Sequence, residues 1–239
     1  MSYETSLTRR YSVAEGTMAF HFERPSGFDY RAGQNVLVDL VDPPESDAQG
    51  SGRTFTLASA PHEPDLVIAT RMRDSAFKRV LKSAPLGLRV TIDGPNGEMV
   101  LHEDAARPAV FLAGGIGITP FLSMARHAAH RRLPHRIVLF YGNRRPEDAA
   151  FLDQLQGLEK ANPNFRLVAV MSEARKSGRV WGGEEGFIDR AMLERHLPGL
   201  EGPVYYVAGP PAMAMAMHQM LAGAGVAGDD MRSEEFYGY

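Results

Sequence analysis

At Glu103-Asp104-Ala105-Ala106-Arg107-Pro108 the hydrophobic pattern of the chain changes its period, and no other feature constrains the fold as tightly. Before this point apolar and polar residues alternate. Met18, Phe20 and Phe22 form one such run and Val36, Val38 and Leu40 another, each bounded by Gly or Pro. A period of two is that of a half-buried strand. Further strands are expected at 54–57, 66–70 and 88–92, with Asp93-Gly94-Pro95-Asn96-Gly97 as a turn and the polar stretch 42–52 as a mobile loop. One helix is expected in this half, over 75–82, where Ser75 can cap a turn carrying Phe77, Val80 and Leu81.

After Pro108 the apolar runs become continuous, at 109–113, 136–141, 165–171 and 204–208. Amphipathic stretches follow them at 120–131, 147–160, 188–196 and 212–222. Alternation of buried strands with helices is the pattern of βαβ units on a parallel sheet covered on both faces. The expected fold class is therefore all-β plus α/β, with an all-β unit in residues 1–104 and an α/β unit in residues 105–239.

Composition removes several function classes. The 239 residues contain no Cys, which excludes disulfides, thiolate zinc sites, iron-sulfur clusters and catalytic thiols within them. Redox chemistry would need a borrowed cofactor. With 26 Lys and Arg against 29 Asp and Glu, the formal charge of -3 gives no basic excess for nucleic acid. Two long stretches free of charge, 109–125 and 202–228, are interrupted by Gly and Pro, short of the ~20 apolar residues of a membrane span. Met1-Ser2-Tyr3-Glu4-Thr5 is acidic and lacks an apolar run, so no signal peptide is expected and the expected location is cytoplasmic. No His cluster has metal-ligand spacing; His127 and His130 are expected on a solvated helix face, and no metal is expected.

Four segments carry candidate chemistry. Ala113-Gly114-Gly115-Ile116-Gly117-Ile118-Thr119-Pro120 ends a strand and opens a helix, with Thr119 expected at the N-cap and Pro120 at the first helical position. Free N–H groups there can meet a diphosphate, although glycines in a tight turn also serve geometry alone, and the spacing is not GxGxxG. Arg53-Thr54-Phe55-Thr56 offers a guanidinium, an aromatic face and hydroxyls on a strand. Arg71-Met72-Arg73-Asp74-Ser75-Ala76-Phe77-Lys78 brings two guanidiniums to a helix start, or is simply a solvated charged face. Val207-Ala208-Gly209-Pro210-Pro211-Ala212-Met213 joins a strand to a helix at the carboxyl edge of the sheet, where open α/β folds bind ligands. Met213, Met217 and Met220 share a helical face and are expected in the core. The chain closes on Ser233-Glu234-Glu235-Phe236-Tyr237-Gly238-Tyr239, whose aromatics can pack the end of the fold or cover a flat ligand.

In this order the segments resemble the ferredoxin-NADP reductase superfamily. Arg53-Thr54-Phe55-Thr56 is similar to its Arg-x-Tyr/Phe-Ser/Thr flavin motif, Gly114 to Pro120 to its Gly-Gly-x-Gly-x-Thr-Pro nucleotide motif, and Ala208 to Met213 to its Cys-Gly-Pro-x-x-Met motif. Ala32-Gly33-Gln34 and Tyr141-Gly142-Asn143-Arg144 also match. The resemblance implies an N-terminal antiparallel β-barrel for FAD and a C-terminal parallel-sheet domain for NADH or NADPH. It implies that Arg53, Thr54, Phe55, Thr56, Arg71, Arg73, Ser75, Ala76 and Phe77 hold FAD. Gly115, Gly117, Thr119, Pro120, Gly209 and Pro210 would hold the nicotinamide dinucleotide. Thr56 would bond near flavin N5, Ala208 would stand on the hydride path, and Tyr237 or Tyr239 would stack on the flavin. Ala208 replaces the family's Cys, which removes any help from a thiol, and Phe55 lacks the hydroxyl of a Tyr.

Arg144, Arg145, Ser172 and Arg175 are candidates for reading a 2′-phosphate, with Glu173 among them opposing it. The implied activity is hydride transfer from NAD(P)H to FAD and electron transfer to a separate acceptor: ferredoxin, flavodoxin or an oxygenase component. The alternatives are a non-catalytic nucleotide-binding docking or sensor subunit, and a ferric-chelate or free-flavin reductase.

Overall fold

The computed structural model describes residues 2–236 and arranges them around two six-stranded sheets. Tyr237 and Tyr239 lie outside the described residues. The first sheet holds β1 (Ser2–Ala14), β2 (Thr17–Glu23), β3 (Asn35–Leu40), β4 (Gly52–Thr56), β5 (Asp65–Arg71) and β6 (Arg89–Asn96). Its order is β4-β3-β6-β1-β2-β5, with every pair antiparallel. The sheet curls until its two edges approach, where Ala58 N–H donates to the Val67 carbonyl at 2.7 Å. Between β5 and β6, α1 (Ala76–Ser83) buries Phe77, Val80 and Leu81 against Leu7, Phe20, Phe22 and Ile68. Ser75 caps it, its Oγ accepting from Lys78 N–H at 3.3 Å.

Two features of this sheet depart from expectation. β1 is the longest strand, yet among its residues only Leu7 is fully buried, and its first half pairs with β6 while its second pairs with β2. Register shifts between Leu7 and Arg9 and between Ser12 and Ala14 scramble any period of two. Asp93-Gly94-Pro95-Asn96, expected as a turn, is the end of β6, paired with Ser2 and Asn35.

The second sheet holds β7 (Ala109–Gly114), β8 (Ile137–Asn143), β9 (Phe165–Met171), β10 (Glu184–Glu185), β11 (Val204–Gly209) and β12 (Met231–Glu235). It is parallel throughout, in the order β10-β9-β8-β7-β11-β12. Helices α2 (Ile118–Arg131), α3 (Leu152–Ala161), α4 (Arg190–His196) and α5 (Pro211–Gly223) cover it. Every residue of β7 and β11 is buried, which is why their sequences are continuous apolar runs. The helix expected from Glu147 begins only at Leu152: 146–148 form a 3-10 turn, and Phe151 takes a left-handed φ of 61° to put its ring in the core. β12 was not expected, because Met231-Arg232-Ser233-Glu234-Glu235 is a polar edge strand.

An apolar core joins the two sheets. Ala58, Val67 and Ala69 of the first pack in one cluster with Ile116, Phe121 and Met124 of the second. Ser123 Oγ donates to the Ser59 carbonyl at 2.6 Å across this junction. His130, expected to be merely solvated, stacks on His62 with ring centroids 3.7 Å apart. Among the described residues no helix is long and apolar enough to cross a membrane.

Candidate functional site

The order of the second sheet places the site. The chain steps outward from β7 through β8, β9 and β10, then returns to the other side of β7 with β11. The crevice between the carboxyl ends of β7 and β11 is thus a topological switch point, the position at which open parallel sheets take ligands. The glycine turn and the Gly209-Pro210 turn meet there. Gly115 has a φ of 53°, which a residue with a Cβ adopts only at a cost. Gly117 is required for contact: a Cβ on it would lie 2.2 Å from the Ala208 carbonyl oxygen.

This geometry changes the reading of the nucleotide segment. Residues 115–117 form a 3-10 turn and α2 starts at Ile118, so Thr119 and Pro120 lie inside the first turn of the helix, and the capping position belongs to Gly117. Thr119 Oγ1 donates to the Ile116 carbonyl instead, at 3.2 Å. Gly117, Thr119, Ala208 and Gly209 are buried behind the crevice, and with Pro120 they line neither of the two cavities described next. Gly115 and Pro210 do reach a wall.

The first cavity, of about 470 Å³, lies at the seam between β4 and β5. Arg53, Thr54, Phe55, Thr56, Arg71, Arg73 and Ser75 all line it, as expected of one binding surface. Phe77 does not; its ring lies in the core beneath, 5.6 Å from Phe55, with the Arg53 guanidinium 5.5 Å above it. Ile116 and Phe236, from the second sheet's half of the chain, complete the wall. The Lys78 ammonium at this cavity is held below its usual range by burial and by the nearby Arg73 and Arg53.

Two carboxylates here were not singled out in the sequence. Glu234, on β12 beside Ala208 of β11, accepts from Asn35 Nδ2 at 3.1 Å and from Thr56 Oγ1 at 3.5 Å. Burial raises its carboxyl above the ordinary range, and these two hydrogen bonds only partly offset that. The second is Asp47. Its Oδ2 accepts from Ala76 N–H at the start of α1 at 2.9 Å, and its Oδ1 lies 3.3 Å from Arg53. The Ala76 and Gln49 backbone N–H groups hold this carboxyl below its usual range. Arg53 also donates to the carbonyls of Gln49, Gly50 and Gly52, so the 47–52 loop surrounds its guanidinium.

The second cavity, of about 710 Å³, follows the carboxyl ends of β7, β8 and β9. Arg71 and Arg73 line it as well as the first, so the two cavities share a cationic wall. Arg144, Ser172 and Glu173 line it, with Met213 and the exposed ring of Phe187 as apolar surface. Arg145 and Arg175 do not. Arg145 is turned away into ion pairs with Asp148 at 2.8 Å and with Glu15, in the turn after β1, at 2.7 Å. Asn143, also on this wall, has a sealed side-chain amide with neither Nδ2 nor Oδ1 hydrogen-bonded. Chemically, the pair of cavities suits ligands whose anionic groups share the cationic wall of Arg71 and Arg73.

Comparison with known proteins agrees with this architecture. Residues 111–219 match the oxidoreductase NAD-binding domain family. Over 223 residues the chain is 27% identical to the glycine betaine monooxygenase reductase subunit of Chromohalobacter salexigens, covering 92% of this chain and 60% of that protein. The chain spans 57% to 60% of the length of three such oxygenase reductase relatives. Among solved structures, the flavohem-like FAD/NAD-binding domain of nitric oxide dioxygenase from Vibrio cholerae superposes with a TM-score of 0.84 at 18% identity, covering 98% of each chain. A ferredoxin NADP+ reductase from Neisseria gonorrhoeae with bound FAD and NADP gives 0.81 at 20% identity, again covering 98% of each.

Proposed function

We propose that the chain is a ferredoxin reductase-like oxidoreductase that binds FAD in the first cavity and NADH in the second and passes electrons to a separate protein acceptor, a reading supported by its match to the oxidoreductase NAD-binding domain family and its likeness to oxygenase reductase subunits. The observation that carries this reading is the wall shared by the two cavities, where Arg71 and Arg73 can serve two anionic ligands at once. The residues present fit the group. Guanidiniums and the start of α1 suit a diphosphate, Phe55 and Phe236 offer faces to a ring, and Thr56 offers a hydroxyl at its edge. When bound, FAD supplies the hydride acceptor and the onward electron donor.

The chain's own part is binding, positioning and proton control. Ile116 and Phe236 give the first cavity an apolar wall, and burial shifts the Glu234 carboxyl toward its protonated form beside Thr56 Oγ1. Ala208 is fully buried and lines neither cavity. NADH is favoured over NADPH because, of the three arginines considered, only Arg144 reaches the second cavity, and Glu173 beside it repels a 2′-phosphate while accepting from ribose hydroxyls. In this reading residues 1–104 form the flavin unit and 105–239 the nucleotide unit. The protein works in the cytoplasm with an oxygenase component or ferredoxin-type carrier, as the oxygenase reductase relatives suggest.

Anaerobic mixing of the FAD-loaded protein with each nicotinamide tests the proposal. NADH should bleach the flavin band faster than NADPH at equal concentration. A protein that retains FAD but is bleached by neither is a docking subunit; one that loses FAD on gel filtration only after reduction is a free-flavin reductase.

A further inference from the structure

We propose that Asp47 is an internal ligand beside the first cavity: a carboxylate on the 42–51 loop that holds Arg53 and the first N–H of α1, donors a phosphate would use, and that must be displaced when flavin dinucleotide binds. The inference rests on the flavin reading above and adds a regulatory element to that same site.

The argument begins with what Asp47 touches. Its two oxygens take the Ala76 N–H at 2.9 Å, the Gln49 N–H at 2.9 Å and the Arg53 guanidinium at 3.3 Å. A helix-start N–H and a guanidinium are the donors a phosphate oxygen uses, and a carboxylate competes for them with the same sign of charge. Arg53 is further engaged by the carbonyls of Gln49, Gly50 and Gly52 at 2.7 to 3.0 Å, so it cannot present a free fork to a phosphate until this loop moves.

The loop is tied to Arg53 and to α1. It is jointed by backbone of positive φ at Asp42 (46°) and Gly50 (77°), while its outer part is moored by Glu45 to Arg79 of α1 at 2.7 Å. Asp47 can give up its donors while Glu45 keeps the loop beside α1. Charge favours the exchange: Arg53, Arg71, Arg73 and Lys78 outnumber Asp74 among the charged residues on the wall, so a diphosphate adds negative charge where the lining is cationic. The consequence is that FAD binds more weakly than the donors alone would allow, and that its affinity is set by its phosphates competing with Asp47.

The test is calorimetric titration of the purified chain and its Asp47→Asn and Asp47→Ala variants with FAD, riboflavin and inorganic pyrophosphate. Removing a charge-assisted competitor should tighten FAD and pyrophosphate about tenfold, while riboflavin, which has no phosphate, should bind all three proteins equally. A residue that merely orders Arg53 would do the opposite, and FAD affinity unchanged or weakened in both variants overturns the proposal. If neither FAD nor riboflavin binds any of the three proteins, the flavin reading fails. Pyrophosphate then decides the internal-ligand inference alone: tightening in the variants supports it, and indifference to Asp47 overturns it.

Discussion

Replacing Gly117 by Ala separates two reasons for a glycine at a nucleotide-binding turn. If it were there to admit a phosphate, a methyl group would protrude into the cavity and only ligand affinity would suffer. The structure instead puts that methyl 2.2 Å from the Ala208 carbonyl oxygen, 2.5 Å from its carbon and 2.7 Å from the Gly209 nitrogen, all backbone atoms of the end of β11. To restore van der Waals contact the 3-10 turn and β11 must part by roughly 1 Å. Overpacking of this kind costs about 1–3 kcal/mol, and with rigid backbone on both sides the upper value applies. For a chain of this size about 3 kcal/mol lowers the melting temperature by roughly 6–12 °C. The same displacement separates the two strand ends that flank the switch point, so bleaching by NADH should slow by about a hundredfold. Calorimetric melting without ligand, paired with stopped-flow bleaching, reads both effects. A Gly117→Ala protein that melts with the wild type would refute the packing argument, even if its bleaching were slow.

Three further outcomes follow from named contacts. Because burial raises the Glu234 carboxyl above its ordinary value of 4.5, the folded state binds its proton more tightly than the unfolded one. Its stabilising contribution is present below that ordinary value and lost as pH rises through the raised one. Glu234→Gln should therefore gain in melting temperature relative to wild type as pH rises above the ordinary value of 4.5, and a difference independent of pH would contradict the assignment. Glu173→Ser should shift the ratio of NADPH to NADH affinity toward NADPH by about tenfold, read by titration of the FAD-loaded protein; an unchanged ratio would remove Glu173 from the ribose subsite. Ser123→Ala removes one donor to the Ser59 carbonyl, which still accepts from Tyr30 Oη at 3.0 Å. The cost in a denaturant melt should stay near 1 kcal/mol, and a loss of several would show that the junction depends on that single bond.

What was legible in the sequence is what burial writes into local pattern. Central strands β7 and β11 are apolar at nearly every position because both faces are covered, and the alternation of β2 and β3 reports one covered face each. β1 and β12 could not be read this way. β1 changes partner halfway along, so no single face holds its apolar residues, and β12 is a polar edge strand of which Glu234 reaches Thr56. Helix starts were blurred where tertiary contact overrides local preference, as with Phe151, whose buried ring imposes a backbone conformation that its sequence does not favour.

The same distinction governs the site. Arg53, Phe55 and Thr56 are legible because one strand carries them in a fixed order, and the structure needs only to bring that strand beside Arg71 and Arg73. Glu234 is remote from Thr56 in sequence, and its acidity depends on desolvation by a strand pairing that no local pattern announces. Asp47 resembles any loop aspartate until α1 is seen to point its first N–H groups at it. The glycine motif misleads in the opposite direction, since a ligand approaching bare backbone and a neighbouring strand doing so call for the same residue. Of its glycines, Gly115 faces a cavity and Gly117 faces Ala208, a difference invisible in spacing. A motif thus marks where a chain must come close to something, and only the fold says whether that something is a cofactor or the chain itself.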